Sequence, residues 1–118
     1  MEKKLYLYKA FVKEVYDGDT ITVDIDLGLK TFVHNEKVRL YGINAPELKG
    51  DEREKGLMAR DYLRTLILQK DILLETIKDE REKYGRYLGI IWINKMGREY
   101  TNVNQLLVKE GLAIEKKY

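Results

Sequence analysis

A chain of 118 residues, 44% hydrophobic and 36% charged, is long enough to bury a core of its own. No run comes near the roughly 18 apolar residues that span a bilayer, and the absence of cysteine excludes disulfides, thiol nucleophiles and thiolate zinc sites. The formal net charge of +2 neither demands nor excludes a nucleic-acid partner, because a local basic patch matters more than the total. The single histidine, His34, reads as a surface residue, so any metal site must be built from oxygen donors, which favours calcium or magnesium over zinc. Length predicts one domain over residues 1–118. The segment Met1 to Tyr8 lacks an apolar core of signal-peptide length, and the sequence sets no compartment.

In chain order, Leu5 to Tyr16 mixes β-branched and aromatic residues with lysines and predicts a first strand. Asp17-Gly18-Asp19-Thr20 reads as a tight turn. Ile21, Val23, Ile25 and Leu27 then alternate with polar residues, the cleanest period-two pattern in the chain, so a hairpin is expected here. Gly28 marks a reversal, and a third strand runs from Lys30 to Ile43, interrupted at His34-Asn35-Glu36 by a bulge or small excursion. A polar loop from Leu48 leads to an amphipathic helix over about Glu54 to Leu68, with Met58, Ala59, Tyr62, Leu63, Leu66 and Ile67 on its apolar face. Its start is open between a capping box at Asp51 and Glu54 and a later beginning at Gly56.

Asp71 to Ile77 predicts a fourth strand, and the mixed charges from Lys78 to Lys83 predict a solvated loop. Tyr87 to Ile93 reads as an apolar fifth strand and Asn94 to Gly97 as a turn. Val103 to Glu110 reads as a short helix capped by Asn102, with Leu106 and Leu107 inward and Gly111 as its stop. Leu112 to Ile114 would pack back before a basic tail. Five short strands with a helix after the third predict a mainly β (α+β) fold: a five-stranded Greek-key barrel of the oligonucleotide/oligosaccharide-binding (OB) type, with two to three helices.

The stretch Arg39-Leu40-Tyr41-Gly42-Ile43-Asn44-Ala45-Pro46-Glu47 stands out from this pattern. It holds the only proline, which fixes its own backbone and extends the residue before it, so a cation, an amide oxygen and a carboxylate are held around one rigid corner. Together with Asp17-Gly18-Asp19-Thr20, Tyr84-Gly85-Arg86 and the tail piece Val103 to Ala113, in that order, it closely resembles the staphylococcal (thermonuclease-like) nuclease family over nearly the whole chain.

The resemblance implies a calcium-dependent phosphodiesterase that hydrolyses single-stranded DNA or RNA and leaves 3′-phosphates. It assigns Arg39 and Arg86 to the phosphate, where a planar, permanently charged guanidinium answers the charge that builds on the transition-state oxygens. Glu47 would orient or deprotonate the attacking water. Asp19, Asn44 and the backbone oxygen of Ala45 would hold Ca²⁺, while Lys83 and Tyr84 would flank a terminal phosphate of bound nucleotide. Asn44 departs from the aspartate usual in the family. It keeps an oxygen but loses a charge, so weaker calcium binding is expected. Glu82, where many relatives have aspartate, is a smaller departure. No membrane and no obligate protein partner is implied, and a monomer is expected. The rival reading is a non-catalytic module of the same fold that binds nucleic acid or protein.

Overall fold

The computed structural model describes residues 6–81, 83–94 and 99–117. Its strands are β1 (Leu7–Asp17), β2 (Thr20–Gly28), β3 (Thr31–Leu40), β4 (Ile43–Asn44), β5 (Asp71–Arg81), β6 (Tyr87–Asn94), β7 (Tyr100–Asn102) and β8 (Ile114–Glu115). A 3₁₀ turn at Gly50–Glu52 leads into helix α1 (Arg53–Ile67), and α2 (Val103–Lys109) follows β7. The main sheet runs β3-β2-β1-β5-β6-β7 and closes on itself where β3 pairs with β6. β1, β2, β3, β5 and β6 thus form a closed five-stranded barrel with two helices, as the order of elements predicts. The β3–β6 contact is parallel and places Arg39 opposite Leu88. Among the described residues, no helix is long and apolar enough to cross a membrane.

Alternation explains the barrel. Ile21, Val23 and Ile25 of β2 point inward and meet Val12 and Val15 of β1, Val38 and Leu40 of β3, Leu74 of β5 and Ile91 of β6. Helix α1 covers one end of this core with Ala59, Leu63 and Ile67, while Met58, on the expected apolar face, is solvent-exposed. Arg64 reaches from its last turn to the Val15 carbonyl, with Nε at 3.2 Å and Nη2 at 3.0 Å, and so ties the helix to β1. The bulge in β3 falls at His34–Asn35, where Asn35 takes a φ of 58° and its N–H donates to Asp24 Oδ1 at 2.9 Å. His34 is exposed beside Asp24, as expected of a surface histidine.

Three boundaries differ from the sequence reading. The third strand ends at Leu40, because Gly42 takes a φ of 80° and turns the chain before the two-residue β4. Residues 78–81 belong to β5 rather than to a loop: Arg81 pairs with Tyr87, and backbone pairing is indifferent to side-chain charge. The capping box is absent, since Glu52 occupies the N-cap without a side-chain bond and Gly56 lies inside the helix. Glu82, the rest of the Asn94 to Gly97 turn beyond Asn94, and Tyr118 lie outside the described residues.

Helix α2 starts and stops as its sequence dictates. Asn102 Oδ1 accepts from Gln105 N–H at 3.1 Å. Gly111 takes a φ of 75°, and Leu112 N–H and Gly111 N–H donate to Leu107 O and Val108 O, a Schellman termination. Leu107 is buried and Leu106 half-buried. The residue that docks this helix was not legible in the sequence. Asn104, only 2% exposed, donates through Nδ2 to Tyr41 O and Gly89 O and accepts from Ile91 N–H through Oδ1. It therefore joins α2, β6 and the exit of β3.

Asn104→Ala removes these three hydrogen bonds at once, although Gly89 O keeps its bond from Tyr41 N–H. Each lost hydrogen bond contributes about 0.5–1.5 kcal/mol, so the expected loss is about 2–4 kcal/mol. Urea denaturation measures it, and a loss under about 1 kcal/mol would show that the network is dispensable.

Candidate active site

Asp19 ends the turn between β1 and β2, and the first strand's geometry sets its direction. Its backbone N–H donates to Asp17 Oδ1 at 3.0 Å, while its carbonyl accepts from Leu40 N–H at 2.8 Å. Its carboxylate is therefore aimed toward the exit of β3. There Oδ2 accepts from Ala45 N–H at 2.7 Å and lies 3.1 Å from Arg39 Nη1. Oδ1 accepts from the Thr20 hydroxyl at 3.2 Å. Arg39 also donates through Nη1 to Ile43 O at 3.1 Å and through Nη2 to Asn44 Oδ1. Asp19, Arg39, Asn44 and Ala45 thus form one hydrogen-bonded cluster, with both side chains of the ion pair about nine-tenths buried.

Small residues seat the corner that carries Asn44 to Glu47. A Cβ added at Gly18 would lie 2.6 Å from Ala45 Cβ and 2.8 Å from Ala59 Cβ. One added at Gly56 would lie 2.8 Å from the Glu47 carbonyl carbon and 2.9 Å from Pro46 O. Only glycine at those two positions lets the β1–β2 turn and helix α1 press this closely on the corner. Glu47 N–H donates to Glu52 Oε1 at 3.2 Å, and the Glu47 side chain projects from an exposed residue. On the far side, β4 pairs with β8, matching Asn44 with Ile114, and Lys116 N–H donates to Gly42 O.

A cleft of about 690 Å³ results. Asp19, Arg39, Asn44, Ala45, Glu47 and Arg86 all line it, so six of the eight residues singled out from the sequence converge on one wall. Arg86 enters from the start of β6 and donates through Nη1 to the Thr20 hydroxyl at 3.2 Å. Tyr84 lies beside this cleft in a neighbouring groove that shares Thr20 and Arg86 with it. The Arg86 guanidinium carbon sits 5.4 Å from the Tyr84 ring centroid, and Lys83 Nζ lies 5.1 Å from the same ring rather than on the cleft wall.

Sequence reasoning missed Asp17, Glu52, Lys55 and the Gly111–Ile114 segment, which also line the cleft. Asp17 was read as a turn residue within the matching Asp17-Gly18-Asp19-Thr20 piece and given no role of its own. Its signal was its place beside Asp19 in an Asp-Gly-Asp motif, where two carboxylates are held close. Burial, and then the Asp19 charge, push its carboxyl up from the ordinary 3.8 to about 6.

Three of the oxygens that a cation in the cleft could take are the Asp19 carboxylate, the Asn44 amide and the Ala45 carbonyl. Asp19 and Asn44 already converge on one cation, the Arg39 guanidinium, so they lie within reach of a single positive centre. Hard oxygen donors of this kind are the type calcium takes, and the three carry a single formal charge between them. Among the described residues, no group of three or more histidine, cysteine, aspartate or glutamate side chains is placed to hold a metal.

The Asp17 shift fixes a pH dependence of stability. Between about pH 4 and pH 6 the folded state keeps a proton that the unfolded chain releases, so this group's contribution to stability falls as pH rises through that window. In chelator, Asp17→Asn is expected to raise the melting temperature at neutral pH. The gap from the parent should open between about pH 4 and pH 6 and stay constant above. Thermal unfolding across that range measures it, and a gap independent of pH would contradict the assignment.

Comparison with known proteins agrees with this geometry. The family model described as staphylococcal nuclease homologue matches residues 37–118, a span that includes Arg39, Asn44 to Glu47 and Arg86. Thermonuclease of Staphylococcus intermedius is 36% identical over 110 residues, covering 91% of this chain and 59% of the relative. Thermonuclease of Staphylococcus hyicus is 33% identical with the same coverage. Micrococcal nuclease of Shigella flexneri is 30% identical over 115 residues, covering 94% of this chain and 60% of the relative. The chain thus spans about three fifths of the length of these relatives. With its closed barrel, its corner and its two arginines in place, the chain belongs to the staphylococcal nuclease homologue family.

Proposed function

We propose that this domain is a calcium-dependent nuclease, a phosphodiesterase that hydrolyses single-stranded DNA or RNA and leaves 3′-phosphates, and that it works as a monomer without an obligate protein partner. The observation that carries this reading is the convergence of Asp19, Arg39, Asn44, Ala45, Glu47 and Arg86 on one open cleft. The relatives named thermonuclease and micrococcal nuclease support a nuclease at the level of the family.

In this reading, Arg86 and Arg39 face the phosphate oxygens, each with a planar set of N–H donors. Arg86 is held at the cleft by the Thr20 hydroxyl. Arg39 turns to the phosphate at the expense of its bonds to Asp19 and Asn44, which leaves both oxygens for a cation. Asp19, Asn44 and the Ala45 carbonyl would hold calcium, which when bound polarises a phosphate oxygen and offsets its charge. The Glu47 carboxylate orients a water and takes its proton as the water oxygen bonds to phosphorus. The bond from phosphorus to the 5′ oxygen breaks, and that oxygen takes a proton from solvent. The products are a 3′-phosphate and a 5′-hydroxyl. A carboxylate is a weak base toward water, so alignment must supply much of the rate. Lys83 and Tyr84, packed together beside Arg86, would flank the terminal phosphate of a bound nucleotide.

Asn44 favours one rival, a non-catalytic binding module, because it lacks a charge and gives its oxygen to Arg39. Incubation with single-stranded DNA in calcium, and then in chelator, separates the two. Calcium-dependent cleavage that falls about 10²–10⁴-fold in Glu47→Gln is the expected result. Binding without cleavage at any calcium concentration would establish the module instead. Asn44→Asp adds a ligand charge and is expected to tighten calcium binding by about tenfold, read by titration calorimetry. An affinity no tighter than that of the parent would remove Asn44 from the ligand set.

A further inference from the structure

The cleft does not end at Arg86. Beyond it a groove of about 680 Å³ runs over the outer face of the barrel, sharing Thr20 and Arg86 with the cleft. Its floor is a row of cross-strand neighbours: Glu14 of β1 pairs with Thr22 of β2, and Thr22 pairs with Lys37 of β3. Two tyrosine rings, Tyr16 at 67% exposed and Tyr84 at 71%, stand in this groove. Lys37 is exposed there, and Arg64 adds a second charge while its donors hold Val15 O. Exposed aromatic faces interleaved with cations along a continuous channel are what a flexible single strand recognises: bases stack, and the cations follow the backbone. An apolar protein partner would not favour a floor of Glu14, Thr22 and Lys37.

We propose that this groove is a second binding track, which holds nucleotides of a single-stranded substrate adjoining the phosphate in the cleft. Tyr16 is a stacking platform and Lys37 a phosphate contact. The proposal rests on the nuclease reading for its substrate, and it goes further in assigning residues outside the cleft to substrate length. Glu14 sits next to this path and repels a passing phosphate, so it weakens the track and keeps binding reversible.

The test is equilibrium binding, which does not need catalysis. The anisotropy of a labelled oligothymidylate about twelve nucleotides long is followed in chelator for the parent, Tyr16→Ala, Lys37→Gln, Glu14→Gln and, as a control at the far hairpin tip, Leu29→Ala. The expected results are a loss of about tenfold in affinity for Tyr16→Ala and a salt dependence shallower by about 0.7 for Lys37→Gln. Glu14→Gln should bind more tightly, and Leu29→Ala should match the parent. Circular dichroism melts verify that each variant is folded. If Tyr16→Ala and Lys37→Gln, both folded, bind as the parent does, the track is overturned even if the parent cleaves DNA. If both weaken binding while the parent cleaves nothing, the track stands and the nuclease reading falls.

Discussion

The ion pair between Asp19 and Arg39 is the contact that ties the site together in this structure. Both side chains are largely removed from water, and burying two charges costs several kcal/mol per ion unless their remaining polar atoms are satisfied. Here they are. Ala45 N–H and the Thr20 hydroxyl complete the carboxylate, while Ile43 O and the Asn44 amide oxygen take other guanidinium protons. Removing either partner would leave an uncompensated buried charge, a loss of about 3–5 kcal/mol. The same contact links the β1–β2 turn, β3 and the proline corner, so the cluster fixes the direction of three chain segments at once.

Packing supplies what electrostatics cannot. Charges specify that the corner approaches Asp19, yet hydrogen bonds alone tolerate a loose fit. Gly18 and Gly56 bring the β1–β2 turn and helix α1 against Ala45, Pro46 and the Glu47 backbone at distances that leave no room for a side chain. Glu47 therefore projects from a backbone clamped on two sides, although its own side chain is exposed. In the proposed hydrolysis, rigid support beneath this exposed carboxylate would suit a group that must meet a water molecule in one orientation.

Most of the barrel could be read from the chain because period-two alternation reports a half-buried strand directly, as in Ile21, Val23 and Ile25. The caps of α2 were equally plain, since Asn102 and Gly111 act through local backbone geometry. Lys78 to Arg81 misled because strand pairing is made by the backbone, and composition reports only how the side chains are solvated. Asn104 was invisible for a related reason: its three partners belong to β6 and the exit of β3, far away in sequence. In the site, the resemblance singled out residues with distinctive chemistry. It gave no role to Asp17, whose raised pKa comes from burial and then from a neighbouring charge, or to Glu52 and Lys55, which reach the cleft from the 3₁₀ turn and the first turn of α1.

The parallel contact between β3 and β6 has a kinetic side. The pairs β1–β2 and β2–β3 are joined by tight turns and can form early, because their closing loops are short. That meander already contains both Asp19 and Arg39. Arg86 arrives only when β6, after α1 and β5, reaches β3 and shuts the barrel. The two arginines of the cleft are thus brought together by a non-local closure. A chain with an open barrel would carry only one of the two arginines, and the cleft is complete only once that last seam is made.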